Sequence, residues 1–272
     1  MFRNLTDNIP KNIGLYSVGV MLLFLFRITI DLLQTLLGLL AFLISYSSIY
    51  VLNDLFDVDD DKKDNRKAHR KPLANDVVKE EDAIRIFASF LLLGLVLSVI
   101  LNLLFFCVVC SLVFTNIIYS LPMSHIRKRS FEEGSPRSLK HTILSLPLVL
   151  LMQLLKIFLP WTLSTEVMQF PVLFAIGFSL LYVIIFKGYK EYRTIGESVK
   201  QTPFFLGFAI IVFVISMSMY PEPLVQASIV LYILLGIWFF RNSRLTDRKV
   251  LLLSPVYILL GIVVLFFLIS NI

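Results

Sequence analysis

Charge is scarce in this chain. Only 16% of its 272 residues are Asp, Glu, Lys or Arg, whereas 57% are hydrophobic. A soluble domain carries about a quarter charged residues. A water-soluble globule is therefore excluded, and apolar runs longer than a bilayer requires point to a polytopic membrane protein. Sulfur and imidazole are also sparse. The two cysteines, Cys107 and Cys110, stand in the apolar segment FFCVVCSLVF with no His or Cys beside them. That makes an incomplete zinc site, and they read as ordinary lipid- or core-facing residues. His125 and His141 have no ligand spacing and read as interfacial. There is no nucleophile elbow and no EF-hand spacing. The first residues, MFRNLTDNIPK, are polar and lack a small-residue cleavage pattern, so no cleavable signal peptide is expected.

The apolar runs set the architecture. Residues 13–52 form one run that would be about 60 Å long as a single helix, twice the hydrocarbon thickness. It must turn back, and the region from Arg27 to Asp31 is the expected turn although no Gly or Pro marks it. Arg27 and Asp31, one turn apart, read as a local pair near the outer end. Residues 83–122 repeat the problem, with Asn102 as the expected turn. Residues 142–186 are divided by LPWTLSTEVMQFP, whose Trp161 is placed at the membrane interface. Residues 203–240 are divided by YPEP, and 250–270 form a final span. The expectation is an all-α polytopic membrane protein. It is a single domain over 1–272, with nine transmembrane helices.

The basic residues follow that count. With the N-terminus inside, 23 of the 25 Lys and Arg fall on inner segments, and only Arg27 and Lys156 lie elsewhere. This is the positive-inside pattern, and it predicts an N-in, C-out orientation. Basic stripes that follow topology in this way do not call for a nucleic-acid partner. A transporter would place charges at mid-helix depth; here they collect at the inner ends.

The second run ends in NDLFDVDDDKKDNRKAHRKP, residues 53–72. At 100° per residue, Asn53, Asp54, Asp57 and Asp61 share one helical face, Asp60 lies at its edge, and Asp59 points away. Carboxylates at membrane depth are expensive and usually mark a site. Several on one face repel one another and need a multivalent cation. Magnesium fits, because it takes oxygen ligands and is typically held by one or two carboxylates plus substrate phosphates. Calcium is the alternative ion. A solvated helix end accounts for Asp59 and Asp60. The bases that follow, Arg66, Lys67, His69, Arg70 and Lys71, suit a phosphate. The stretch thus reads as carboxylate, metal, diphosphate and base in turn.

The segment N-D-L-F-D-V-D-D-D at 53–61 resembles the NDxxDxxxD motif of the UbiA superfamily of intramembrane prenyltransferases. Arg66 through R-K-P-L-A at 70–74 is similar to the basic segment ending in R-P-[IL]-A that follows it, with one extra residue before the proline. The resemblance implies helices packed around a central cavity that faces the cytosol, and a magnesium-bound diphosphate substrate. It also implies transfer of a prenyl group from a polyprenyl diphosphate to an aromatic or lipid acceptor. The working loops would be 53–82, 123–141 and 187–202. Asn53, Asp54, Asp57 and Asp61 would hold Mg2+, with Asp57, Asp61 and Glu191 as catalytic candidates. Arg66, Arg70, Tyr119, Arg127, Lys128, Lys140, Lys187 and Lys190 would bind phosphate or substrate. Tyr119 and Ser120, at the inner end of the fourth helix, are also similar to the family, and Asn116 lies about one turn earlier. A bacterial cell membrane is the expected setting.

The chain departs from the pattern at residues 184–203, IIFKGYKEYRTIGESVKQTP, where the superfamily usually carries a second Asp-rich motif. No Asp stands there. Lys187, Lys190, Glu191, Arg193 and Glu197 do, and GYKEYR is loosely similar to a decaprenyl-phosphate phosphoribosyltransferase-like branch. That branch implies phosphoribosyl transfer from 5-phosphoribosyl diphosphate to a polyprenyl phosphate. A non-catalytic membrane partner with the same fold is a further alternative.

Overall fold

The computed structural model describes residues 2–63, 71–132 and 139–180, and among these every regular element is helical. In chain order the helices are α1 (Phe2–Leu25), α2 (Leu32–Phe56), α3 (Val58–Lys63), α4 (Glu80–Leu101), α5 (Leu103–Glu132) and α6 (Leu139–Phe158). Short 3-10 turns at Leu159–Leu163 and Val167–Gln169 follow, and residues 172–180 are again helical. The expected spans at 203–240 and 250–270 lie outside the described residues.

The turns fall where the apolar runs required them, and polar side chains make them. Arg27 takes a left-handed φ of 56° between α1 and α2. Asp31 then caps α2, its Oδ1 accepting from the Leu33 and Gln34 amides at 2.8 and 3.2 Å. An N-cap carboxylate satisfies amides that the helix leaves without partners. Asp31 is thus a cap rather than the ion-pair partner expected for Arg27; among the described residues no ion pair joins the two. Asn102 does the same work between α4 and α5. Its Oδ1 accepts from Phe105 N at 2.7 Å, and its Nδ2 donates to Thr162 O at 2.9 Å.

Two expectations are adjusted by the structure. Trp161 turns into the bundle: it is 0% exposed, its Nε1 donates to Gly19 O at 3.1 Å, and it packs with Phe26 and Phe170. Its indole thus finds a backbone partner. The loop expected from residue 123 is also shorter, because α5 continues to Glu132. Pro122 removes only one backbone donor, and the residues after it are mostly adequate helix formers.

Three described helices, Leu32–Phe56, Glu80–Leu101 and Leu103–Ser120, are long and apolar enough to cross a membrane. Large apolar side chains cover their outside: Leu32, Leu33, Leu36 and Leu40 on α2, and Leu92, Leu93, Val96 and Ile100 on α4. Such a surface is a liability in water and is suited to lipid. The protein is an integral membrane protein. Inside, Phe42, Tyr46, Ile49, Phe105, Val109 and Leu112 join α2 to α5. Where α2 meets α3, Val51, Val58, Leu73 and Ala83 form a small separate core that seats the 71–79 turn against α2, α3 and α4. That core positions the polar site.

Candidate functional site

Helix α2 pauses at Asp57, its C-cap, and α3 resumes at Val58. The four-residue spacing of hydrogen bonds survives the pause: Asp57 N donates to Asn53 O at 3.0 Å and Asp61 N to Asp57 O at 2.8 Å. Asn53, Asp57 and Asp61 therefore follow one another at a turn each. Asp54 and Asp61 are buried, at 5% and 1% exposure, Asn53 and Asp57 are half-buried, and Asp59 is exposed.

The two buried carboxylates meet at a cation supplied by the chain itself. Lys71 Nζ lies 2.9 Å from Asp54 Oδ1 and 2.5 Å from Asp61 Oδ2. The turn that delivers it is fixed by its own backbone, with Ala74 N and Asn75 N both donating to Lys71 O, and by burial of Leu73 and Ala74. Lys62 pairs with Asp76 at 2.9 Å and ties α3 to the same turn. Burial works against the Lys71 ammonium. Attraction to Asp54 and hydrogen bonding to Asp61 outweigh it and hold its pKa above the ordinary lysine value.

Behind Asn53 runs a buried polar seam. Ser120 Oγ donates to Asn53 Oδ1 at 2.6 Å and lies 3.4 Å from Asn116 Oδ1. Asn116 Nδ2 donates to the Tyr46 hydroxyl at 2.6 Å. Lys156, 1% exposed, sits 4.1 Å from the centre of the Tyr46 ring, and its Nζ donates to Asn12 Oδ1 at 3.1 Å. Asn12 in turn donates to the Tyr50 hydroxyl at 3.0 Å. Four helices, α1, α2, α5 and α6, thus contribute to one internal polar path. Lys156 puts a charge inside the bundle.

Of the other sequence candidates, Tyr119 is half-buried against the α2–α5 core. Arg127 and Lys128 lie on the last turns of α5, and Lys140 in the first turn of α6. Arg66, Arg70, Lys187, Lys190 and Glu191 lie outside the described residues. Sequence reasoning did not single out Lys71 from its basic neighbours. Its signal was available: it is the residue added before the proline of R-K-P-L-A. Ser120 had no such signal as a partner of Asn53, 67 positions away.

Among the described residues no three His, Cys, Asp or Glu side chains close into a metal-holding group. Two buried carboxylates that share one ammonium nevertheless have the donor chemistry for an oxygen-seeking cation. They match the one or two carboxylates magnesium usually takes.

Residues 15–129 match the UbiA prenyltransferase family. No curated protein matches the chain. Among solved structures, a UbiA homologue from Aeropyrum pernix K1, in its apo form, superposes with a TM-score of 0.61 at 15% identity, covering 96% of this chain and 98% of that one. A UbiA homologue from Archaeoglobus fulgidus, bound to DMAPP and Mg2+, gives a TM-score of 0.52 at 20% identity, covering 98% of this chain and 85% of that one. The chain therefore shares its fold with UbiA homologues of known structure, and its sequence match to the UbiA prenyltransferase family spans residues 15–129.

Proposed function

We propose that this protein is a Mg2+-dependent intramembrane prenyltransferase that moves a prenyl group from a polyprenyl diphosphate to an aromatic or lipid acceptor. The observation that carries the reading is the convergence of buried Asp54 and Asp61 on one cation position, beside Asn53 and Asp57. Two buried carboxylates without a cation would be strongly destabilising. The Archaeoglobus relative with DMAPP and Mg2+ supports a diphosphate as the ligand.

In this reading Asn53, Asp54, Asp57 and Asp61 hold the metal, which supplies positive charge to the departing diphosphate. Arg66, Arg70, Lys187 and Lys190 hold the remaining phosphate charge, and Tyr119, Arg127, Lys128 and Lys140 are further phosphate or substrate contacts. Glu191 serves as a second-site ligand or base. The chain crosses the membrane nine times, N-terminus inside, with the site on the cytosolic side; the distribution of Lys and Arg supports this orientation.

The absence of Asp from 184–203 favours one second reading, phosphoribosyl transfer from 5-phosphoribosyl diphosphate to a polyprenyl phosphate. Diphosphate release by purified protein with Mg2+ and native lipid extract separates the two. Release from a polyprenyl diphosphate alone supports prenyl transfer. Release from the sugar donor alone overturns it in favour of the second reading. Release from neither, by folded protein, points to a non-catalytic partner.

A further inference from the structure

We propose that Lys71 is a resident counter-ion that must leave the carboxylate pair before a divalent cation can enter, so that metal loads tightly only together with a diphosphate. The proposal rests on the metal-and-diphosphate reading above and adds an order to it. Lys71 Nζ contacts Asp54 Oδ1 and Asp61 Oδ2 at once. Magnesium needs its oxygens at about 2.0–2.1 Å. An ammonium and a metal cannot both occupy the point where those oxygens converge. The two cations compete for one place.

The competition is unequal without an anion. A metal entering alone would take both carboxylates that now answer the part-buried ammonium, and a stranded charge is costly. A diphosphate changes that balance, because its oxygens offer the ammonium a new partner as the metal takes the old one. The move needs only the side chain. Leu73 and Ala74 are buried and the turn is closed by hydrogen bonds to Lys71 O and Pro72 O, whereas the four-carbon stem of a lysine is free to swing. The added position in R-K-P-L-A supplies the residue that does this.

Metal and diphosphate affinities are then coupled, and by linkage each raises the other by the same factor. Equilibrium dialysis of purified protein in detergent tests this, counting bound Mn2+ at matched free Mn2+ with and without inorganic pyrophosphate. Wild type is expected to bind Mn2+ about tenfold or more tightly with pyrophosphate, within the usual range of such couplings. Lys71→Met should bind Mn2+ alone nearly as well as wild type does with pyrophosphate, and Lys71→Arg should restore the coupling. Lys71→Gln, polar but uncharged, repeats the test if the Met variant fails to fold.

A neutral variant that folds and binds Mn2+ alone no better than wild type overturns the counter-ion role while leaving the metal site standing. Wild type that binds no Mn2+ with or without pyrophosphate overturns both the role and the metal reading.

Discussion

Ser120 donates its hydroxyl proton to Asn53 Oδ1 at 2.6 Å, joining α5 to the last turn of α2. The hydroxyl has one proton, and Asn116 Oδ1, at 3.4 Å, is the weaker acceptor. The proton therefore goes to Asn53 and turns its amide, with Oδ1 toward α5 and Nδ2 away from it. The first residue of the motif is held by a residue from another helix.

Ser120→Ala should release that amide. A net hydrogen bond is worth about 1 kcal/mol, so turnover with a diphosphate donor should fall about fivefold, and Ser120→Thr should recover most of it. Steady-state kinetics on the three proteins checks this. If the Ala and Thr variants are equally impaired, the hydroxyl does not orient Asn53.

Asp57 and Asp59 are two positions apart but differ in surroundings. Asp57 caps α2 and is half-buried beside the buried pair, whereas Asp59 is exposed. Asp57→Asn keeps the shape and removes the charge. It should abolish Mg2+-dependent diphosphate release while leaving the unfolding temperature nearly unchanged. Asp59→Asn should stay within about twofold of wild type, since exposed substitutions seldom cost more than about 0.5 kcal/mol. Activity lost in the Asp59 variant would place the motif's working face elsewhere.

The two described turns between long helices were legible because bilayer thickness is a hard limit on a helix. A forty-residue apolar run must fold back, and Asp31 and Asn102 were the polar residues near its middle. The common face of Asn53, Asp54, Asp57 and Asp61 was likewise readable from helical spacing. The partners of that face were not. Lys71 reaches Asp61 from ten positions on, through a turn that breaks the helical period; Ser120 and Lys156 reach the polar path from other helices, and no local period encodes a contact across many tens of residues. The burial of Trp161 was hidden for a related reason. A Trp near a membrane break suits an interface by composition, and the Gly19 carbonyl that receives its indole lies 142 positions away.

Asn102 performs two tasks that a mutation can separate. Its oxygen caps α5 at Phe105 N, and its nitrogen ties that turn to Thr162 O in the 3-10 segment. Asn102→Ala loses both and should cost about 2 kcal/mol, from a lost cap and a lost hydrogen bond. Asn102→Ser keeps a capping oxygen but is too short to reach Thr162, and should cost about half as much. Thermal unfolding in detergent orders the three proteins; equal losses in the two variants would mean the cap contributes little.

Gly94 lets α4 lie directly against α2. A Cβ at that position would come within 2.1 Å of Ser45 Oγ, 2.7 Å of Ser45 N and 2.8 Å of Ser45 Cα. Close approach of this kind is how small residues pack membrane helices. Because two of the three atoms are backbone, the clash cannot be relieved by a rotamer change. Gly94→Ala should therefore destabilise the protein by about 1–3 kcal/mol. It should also lower diphosphate release, since α2 would be pushed aside and its last turn carries Asn53 and Asp54. Adding Ser45→Ala removes only the hydroxyl, so the double variant should remain close to Gly94→Ala in unfolding temperature. Full recovery in the double variant would show that the helices meet through the hydroxyl alone and that α2 has room to give.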